Sequence, residues 1–325
     1  MRRRTFLQST GMVATLFMMD NEVASAMDQD EQERRRAEIL AEVKATAPYE
    51  LLEVSGAEAQ AVWKRLKRDR REVPIVVGDA ESLISVFDGF SSSPDYPLPS
   101  IDKILDDASK LRFPEDLFKE RAEESARASA FLNQYLSNPN AKLPKVVERD
   151  LDAIMRSDTP LDAMQQHSRE LTSDEVRDMM LREDEEPPVG EWPTDKRQSP
   201  GLTVAMDWQS GRPLEKVYIA LVPTKDWTEV PAYMRWGGWN ECPQPEFHVA
   251  ALRSWRDRYD VELVGMSHDL LNLLARRPPA SREEALALAR EQYAYCADNI
   301  DQGVETFSAL AADLMANDWW YFWWD

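Results

Sequence analysis

Val73-Pro-Ile-Val-Val-Gly-Asp79 decides how the fold is read. Its β-branched residues suit a buried strand, Gly78 ends it, and Asp79 can cap a helix starting at Ala80. A strand that runs straight into a helix is the start of an α/β unit. The neighbouring sequence agrees. Leu51-Leu-Glu-Val54 reads as a strand and Ala57 to Arg68 as a helix, while Ile101, Ile104, Leu105, Ala108 and Leu111 mark one face of a further helix. Residues 28 to 43 are charge-dense and helical in period.

Outward from this unit the chain divides by composition. Residues 27–118 form an N-terminal α/β unit. Residues 119–182 are polar and helical in pattern, broken at Ser137-Asn-Pro-Asn140 and Pro160, with a capping box at Thr172-Ser-Asp-Glu175. They read as a helical, acidic middle. Residues 183–200 gather acids and four prolines, which neither a helix nor a central strand accepts, so they read as a linker. Residues 201–325 are the C-terminal domain. There Leu202 to Trp208 and Lys216 to Val222 flank the turn-rich Gln209 to Pro213 and predict a β-hairpin. Pro245 to Tyr259 predicts a helix with Phe247, Ala251, Trp255 and Tyr259 on one face, and Val261 to Met266 a strand. Ser281-Arg-Glu-Glu284 opens a helix with the stripe Leu286, Ala289, Tyr293 and Cys296, and Val304, Phe307, Ala311 and Leu314 mark another. The six aromatics Trp319 to Trp324 suit a final strand covered on both faces. No internal repeat of 20 to 50 residues is present, which excludes solenoids and propellers. The fold class is α/β, with α+β as the alternative.

The N-terminus carries an address. Arg2-Arg-Arg4 precedes the apolar run Gly11 to Met19, and Val23-Ala-Ser-Ala26 supplies an A-x-A-like cleavage site. Nine apolar residues are too few to span a bilayer, which takes about 20. Arg3-Arg4 with Thr5-Phe-Leu7 resembles a twin-arginine signal, Gln8 standing where Lys is usual. Residues 1–26 therefore predict an extracytoplasmic protein, the alternative being a cytoplasmic one with an N-terminal tail.

Lys+Arg number 39 against Asp+Glu 59, a net charge of -20. A phosphate backbone needs a basic stripe to displace its counterions, and none is present, so nucleic acid is excluded as a partner. Anionic membranes are disfavoured for the same reason, and no stable membrane insertion is expected once the signal is removed. A basic protein partner or a small ligand fits the charge. Two cysteines cannot make a disulfide framework.

Four segments are informative together: Trp236-Gly-Gly-Trp-Asn-Glu-Cys-Pro243, Glu291-Gln-Tyr-Ala-Tyr-Cys-Ala-Asp298, Asp301-Gln-Gly303 and Trp320-Tyr-Phe-Trp-Trp-Asp325. In this order they resemble a bacterial family catalogued as domain of unknown function 4253, over about residues 215–325. The resemblance implies a compact C-terminal α/β domain with no assigned activity and no known cofactor, and it transfers no catalytic residues. Relatives look cytoplasmic for the most part. This chain departs from them in its export signal and long acidic middle.

Candidate sites follow from residue chemistry. The loop Trp236, Gly237, Gly238, Trp239, Asn240 and Glu241 offers two indoles, an amide and a carboxylate between a strand and a helix, where open α/β sheets bind ligands. Its two glycines permit positive φ or close backbone approach. The alternative is a structural loop whose indoles cap the core. Cys242 and Cys296 invite a disulfide in an oxidising compartment, or are two small core residues. Cys242, His248, His268 and Asp269 have the donor types of a zinc site but not the spacing of one. Cys242 with His248 could act as an activated nucleophile, although the sequence implies no third, orienting group. Asp298, Asp301 and Asp325 could form an acidic cluster near Gln302, or be helix caps and a chain end. Serine-hydrolase, P-loop and Rossmann signatures are absent, and no cofactor is implied. The sequence thus predicts an acidic, non-catalytic binding or protein-interaction module using the loop 236–243. The competing reading is a small hydrolase or transferase, metal-dependent or not, centred on Cys242 and His248.

Overall fold

The computed structural model describes residues 29–88, 98–136, 186–195, 197 and 199–324. The stretch 1–26 expected to be an export signal, the expected breaks at Ser137 to Asn140 and at Pro160, the expected capping box at Thr172 to Glu175 and the terminal Asp325 lie outside these residues. The chain forms two units, and the described residues 29–88, 98–118, 187–195, 197 and 199–324 belong to one of them. That unit carries the sheet.

Six strands make one mixed sheet: β1 (Glu50–Val54), β2 (Val73–Gly78), β3 (Val217–Val222), β4 (Val261–Met266), β5 (Leu270–Ala275) and β6 (Trp319–Trp323), in the order β1-β3-β2-β4-β5-β6. Only β2 and β4 run parallel, with Val76 opposite Gly265, and every other neighbouring pair is antiparallel. This is an α/β fold. Strand β3 inserts between β1 and β2, so the segments read separately as an N-terminal unit and a C-terminal domain complete a single sheet.

Alternation along the strands sends side chains to both faces. On one face, Ile75 and Val77, Tyr218 and Ala220, Leu271 and Leu273, and Trp320 and Phe322 meet the larger core. That core is closed by α3 (Ala80–Asp88), α6 (Val230–Met234), α7 (Pro245–Tyr259), α8 (Arg282–Tyr295) and α9 (Phe307–Ala316), after α1 (Gln29–Thr46), α2 (Gly56–Asp69), α4 (Ile101–Lys110) and α5 (Glu115–Leu136) in the chain numbering. On the other face, Val76, Val217, Ile219, Leu221 and Val264 pack on Ala59, Trp63 and Leu66 of α2 and on Val204 and Ala205.

Local chemistry explains the helix starts. The Asp79 carboxylate accepts from Ser82 N–H at 2.9 Å, the cap anticipated from the sequence. Ser281 Oγ accepts from Glu284 N–H, and the Glu284 carboxylate reaches back to Ala280 N–H. The buried face of α7 is the anticipated one, Phe247, Ala251, Trp255 and Tyr259.

Four expectations are revised. Leu202 to Trp208 is not a hairpin strand: Thr203–Ala205 turns as a 3-10 helix, and a single bridge joins Met206 to Pro213, because β3 is taken up by β1 and β2. Residues 188–192 do not run free as a linker. The Pro188 and Val189 carbonyls accept from the Phe307 and Ser308 N–H groups at the start of α9, where a helix has no acceptors of its own. The α8 stripe is only in part the anticipated one: Ala289 and Cys296 are buried and Leu286 and Tyr293 half-buried, while Ala285, Leu288, Gln292 and Tyr295 are buried as well. Strand β6 is an edge strand, buried through Trp320 and Phe322 and half-covered on its other face. Among the described residues no helix is long and apolar enough to cross a membrane.

Candidate functional site

The loop 235–243 joins α6 to α7, so it follows a short helix rather than a strand. It lies at the C-terminal end of β4, since Trp236 Nε1 donates to the Ser267 carbonyl at 2.7 Å. Left-handed backbone shapes it: Arg235 ends α6 at φ 47, and Gly237, Gly238 and Asn240 follow at 118, 86 and 46. Gly238 N–H donates to the Pro243 carbonyl at 2.9 Å and Cys242 N–H to the Trp239 carbonyl at 2.8 Å. Two tight turns therefore fold the loop onto itself.

The six candidate loop residues separate by depth. Trp236 is buried, edge-on to Trp239 and Trp324 and tilted against His248 at 4.7 Å. It caps the core, as the structural alternative expected. Gly237 is there for close approach: a Cβ at this position would stand 2.3 Å from the Pro243 carbonyl oxygen and 2.7 Å from His248 Nε2. Gly238 and Asn240 are exposed, and Trp239 and Glu241 half-buried.

Beneath the glycines, Cys242 Sγ lies 3.4 Å from His248 Nε2, and His248 Nδ1 lies 2.5 Å from the Tyr295 hydroxyl. All three side chains are buried. The sequence placed Cys242 near His248 but named no third group; Tyr295 on α8 is that group. Burial pushes the Tyr295 phenol well above its ordinary value, with the neighbouring Cys242 and Cys296 adding to it, so the phenol is neutral at physiological pH. Two proton arrangements meet this geometry. Either Nδ1–H donates to the Tyr295 oxygen and the Nε2 lone pair faces the thiol, or the tyrosine donates to Nδ1 and Nε2–H faces the sulfur.

Of the other predicted groupings, the cysteine pair and the zinc-type set do not assemble. Cys296 and Cys242 are both thiols, not a disulfide, because they serve different partners. Cys296 donates to the Trp323 carbonyl at 3.0 Å, and burial drives its thiol far up, with the charges of Asp298 and Glu241 adding. His268 is an exposed residue beside Asp269 at 3.5 Å, whereas His248 is buried. Asp269 is held by Ser267 Oγ at 2.8 Å and Trp323 Nε1 at 3.2 Å. Among the described residues no group of three or more His, Cys, Asp or Glu is placed to hold a metal ion, so the four zinc-type donors do not come together. Asp298 accepts from Gln302, the neighbour the sequence named, and Asp301 accepts from Tyr293, while Asp325 lies outside the described residues.

Residues 218–325 match the family model described as Domain of unknown function (DUF4253), the family that the four motifs resemble. The match begins inside β3 and leaves β1 and β2, which complete the sheet, outside it. No curated protein and no solved structure matches the chain.

Proposed function

We propose that the protein is an exported, acidic binding module that presents Trp239, Asn240 and Glu241 to a cationic protein surface. The observation that carries this reading is the division of one loop into a buried anchor, Trp236, and an outer tip fixed by left-handed backbone. A tip ordered before binding loses little entropy on contact, which favours affinity. A half-buried indole beside an amide and a carboxylate is the mixture found at interaction hot spots and their rims. The net charge of -20 would speed encounter with a basic partner and repel nucleic acid.

The test compares the full chain with a Trp239→Ala, Glu241→Gln variant, both immobilised and challenged with a panel of basic proteins and oligo-lysine peptides over a salt series. Retention of a panel member that weakens about tenfold in the variant, equal to ~1.4 kcal/mol, supports the reading. Equal retention by both proteins for every member removes the loop from the function. Export is checked in the same host by fractionation, where uncleaved protein in the cytoplasm would refute it.

A second reading, a hydrolase or transferase centred on Cys242 and His248, is favoured by one observation: the Tyr295 hydroxyl sits on the far nitrogen of the imidazole. A base held on both sides is the arrangement that nucleophilic catalysis uses.

A further inference from the structure

Two thiols lie in one core, and only one of them faces a base. Cys296 is turned to the Trp323 carbonyl and to Asn299. Cys242 faces His248 Nε2, and the ring of His248 is fixed from its other side by Tyr295. Around this pair stands Trp324, edge-on to His248 at 5.8 Å and to Tyr295 at 5.4 Å between ring centroids. Its indole Nε1–H is buried and has no acceptor among the described residues. A buried donor left without an acceptor destabilises a core, and an oxygen brought to it would satisfy it.

Resting on the second of the two readings above, we propose that Cys242, His248 and Trp324 form a covalent acyl-accepting site for an activated ester or thioester, with Tyr295 as the positioning residue. Nδ1–H donates to the Tyr295 oxygen, which leaves the Nε2 lone pair for the thiol proton. As the S–C bond forms, that proton passes to Nε2 and the carbonyl oxygen takes up negative charge, which the Trp324 N–H receives. When the bond to the leaving group breaks, the electron pair returns to the carbonyl and Nε2 gives its proton to the departing oxygen or sulfur. The products are a Cys242 thioester and a neutral alcohol or thiol, and no oxidant is consumed. Gly237 is part of the same construction, since any Cβ there would press on His248 Nε2.

The test uses the full-length protein with two small probes, iodoacetamide and p-nitrophenyl acetate, and locates adducts by peptide mass spectrometry. Iodoacetamide is expected to modify Cys242 of the folded protein at least about tenfold faster than Cys296, because thiolate character and not mere presence sets the rate. The pH profile of that reaction is expected to shift in Tyr295→Phe, which a purely structural contact would not cause. With p-nitrophenyl acetate, a burst of p-nitrophenolate matching one acetyl group on Cys242 is expected, absent in Cys242→Ala. Equal or absent labelling of the two cysteines overturns the nucleophile reading and the proposal with it. Selective alkylation of Cys242 without acetylation overturns the acyl class alone. Should His248→Asn fail to fold, the comparison of the two thiols within the unaltered protein still decides.

Discussion

The Cys296 thiol donates to the main-chain carbonyl of Trp323 across 3.0 Å, on the outer side of the last strand. Asn299 Nδ2 does the same for the Tyr321 carbonyl at 2.9 Å. Strand β6 is at the end of the sheet, where unpaired carbonyls invite another chain to add on. The segment after α8 therefore closes the sheet edge with side chains instead of a strand. Asn299→Ala and Cys296→Ala should each cost about 1 kcal/mol, the usual net worth of one hydrogen bond. The double variant should also self-associate. Denaturant midpoints and light scattering check both; unchanged midpoints would mean that water substitutes for the two donors without loss.

Gly237 and Gly211 separate two reasons for a glycine. Both have positive φ, but a Cβ at Gly211 would meet nothing within 4 Å, whereas at Gly237 it would strike the Pro243 carbonyl and His248. Gly211→Ala should cost about 1 kcal/mol, the left-handed backbone penalty alone. Gly237→Ala should cost about 2 to 3 kcal/mol, because strain and forced displacement add. Thermal unfolding of the two variants measures the difference, and equal losses would refute the close-approach argument.

These residues also show what a sequence can disclose. The Asp79 cap, the Ser281 capping box and the apolar face of α7 were legible because each is set by residues within a turn or two. Strand β5 was missed: Leu270 to Ala275 is apolar with no alternation, and Asn272 in its middle reads as an interruption. That asparagine is fully buried because its amide is satisfied from 69 residues away, donating to Thr203 Oγ1 while its oxygen accepts from Val204 N–H. The insertion of β3 between β1 and β2 is likewise invisible to any local pattern. At the site, Cys242 and His248 are six residues apart and could be paired by inspection. Tyr295 lies 47 residues further on, in a stripe disguised by the buried Gln292, so only folding brings it to the imidazole.

Glu53 on β1 stands between Lys216 and Lys44, at 2.7 and 3.0 Å. Hydrogen bonds from Lys216 first and Lys44 second hold its carboxyl down at about 2, below the ordinary 4.5. The folded state thus keeps Glu53 ionised at a pH where the unfolded chain has already taken up a proton. Its stabilisation is complete above pH 4.5 and is lost as pH falls towards about 2. Glu53→Gln should therefore lower the melting temperature at neutral pH, by a difference that shrinks as pH falls from 4.5 and closes below about 2. Two melting curves that stay parallel through that range would show that the lysines do not hold the carboxylate. High salt should shrink the difference, since the pair is exposed.

Glu291 carries two partners of unequal exposure. Its carboxylate accepts from Trp255 Nε1 at 2.5 Å and from both terminal nitrogens of Arg258, one of them at 2.9 Å. The Glu291 side chain is 5% exposed and that of Arg258 38%, so the arginine can turn to water when the carboxylate is removed. Trp255 cannot. It is fully buried and stacked on Phe322 at 5.3 Å, and its N–H would be left without an acceptor. Glu291→Ala should then cost about 2 to 3 kcal/mol, most of it from the orphaned indole. Glu291→Gln keeps an acceptor oxygen for Trp255 and should cost about 1 kcal/mol. A cycle of Glu291→Ala with Trp255→Phe should give a coupling of about 1 to 2 kcal/mol, because the second change removes the donor that the first strands. Additive losses would mean that Glu291 serves Arg258 alone, and that the indole in the centre of the aromatic core is satisfied by packing without its hydrogen bond.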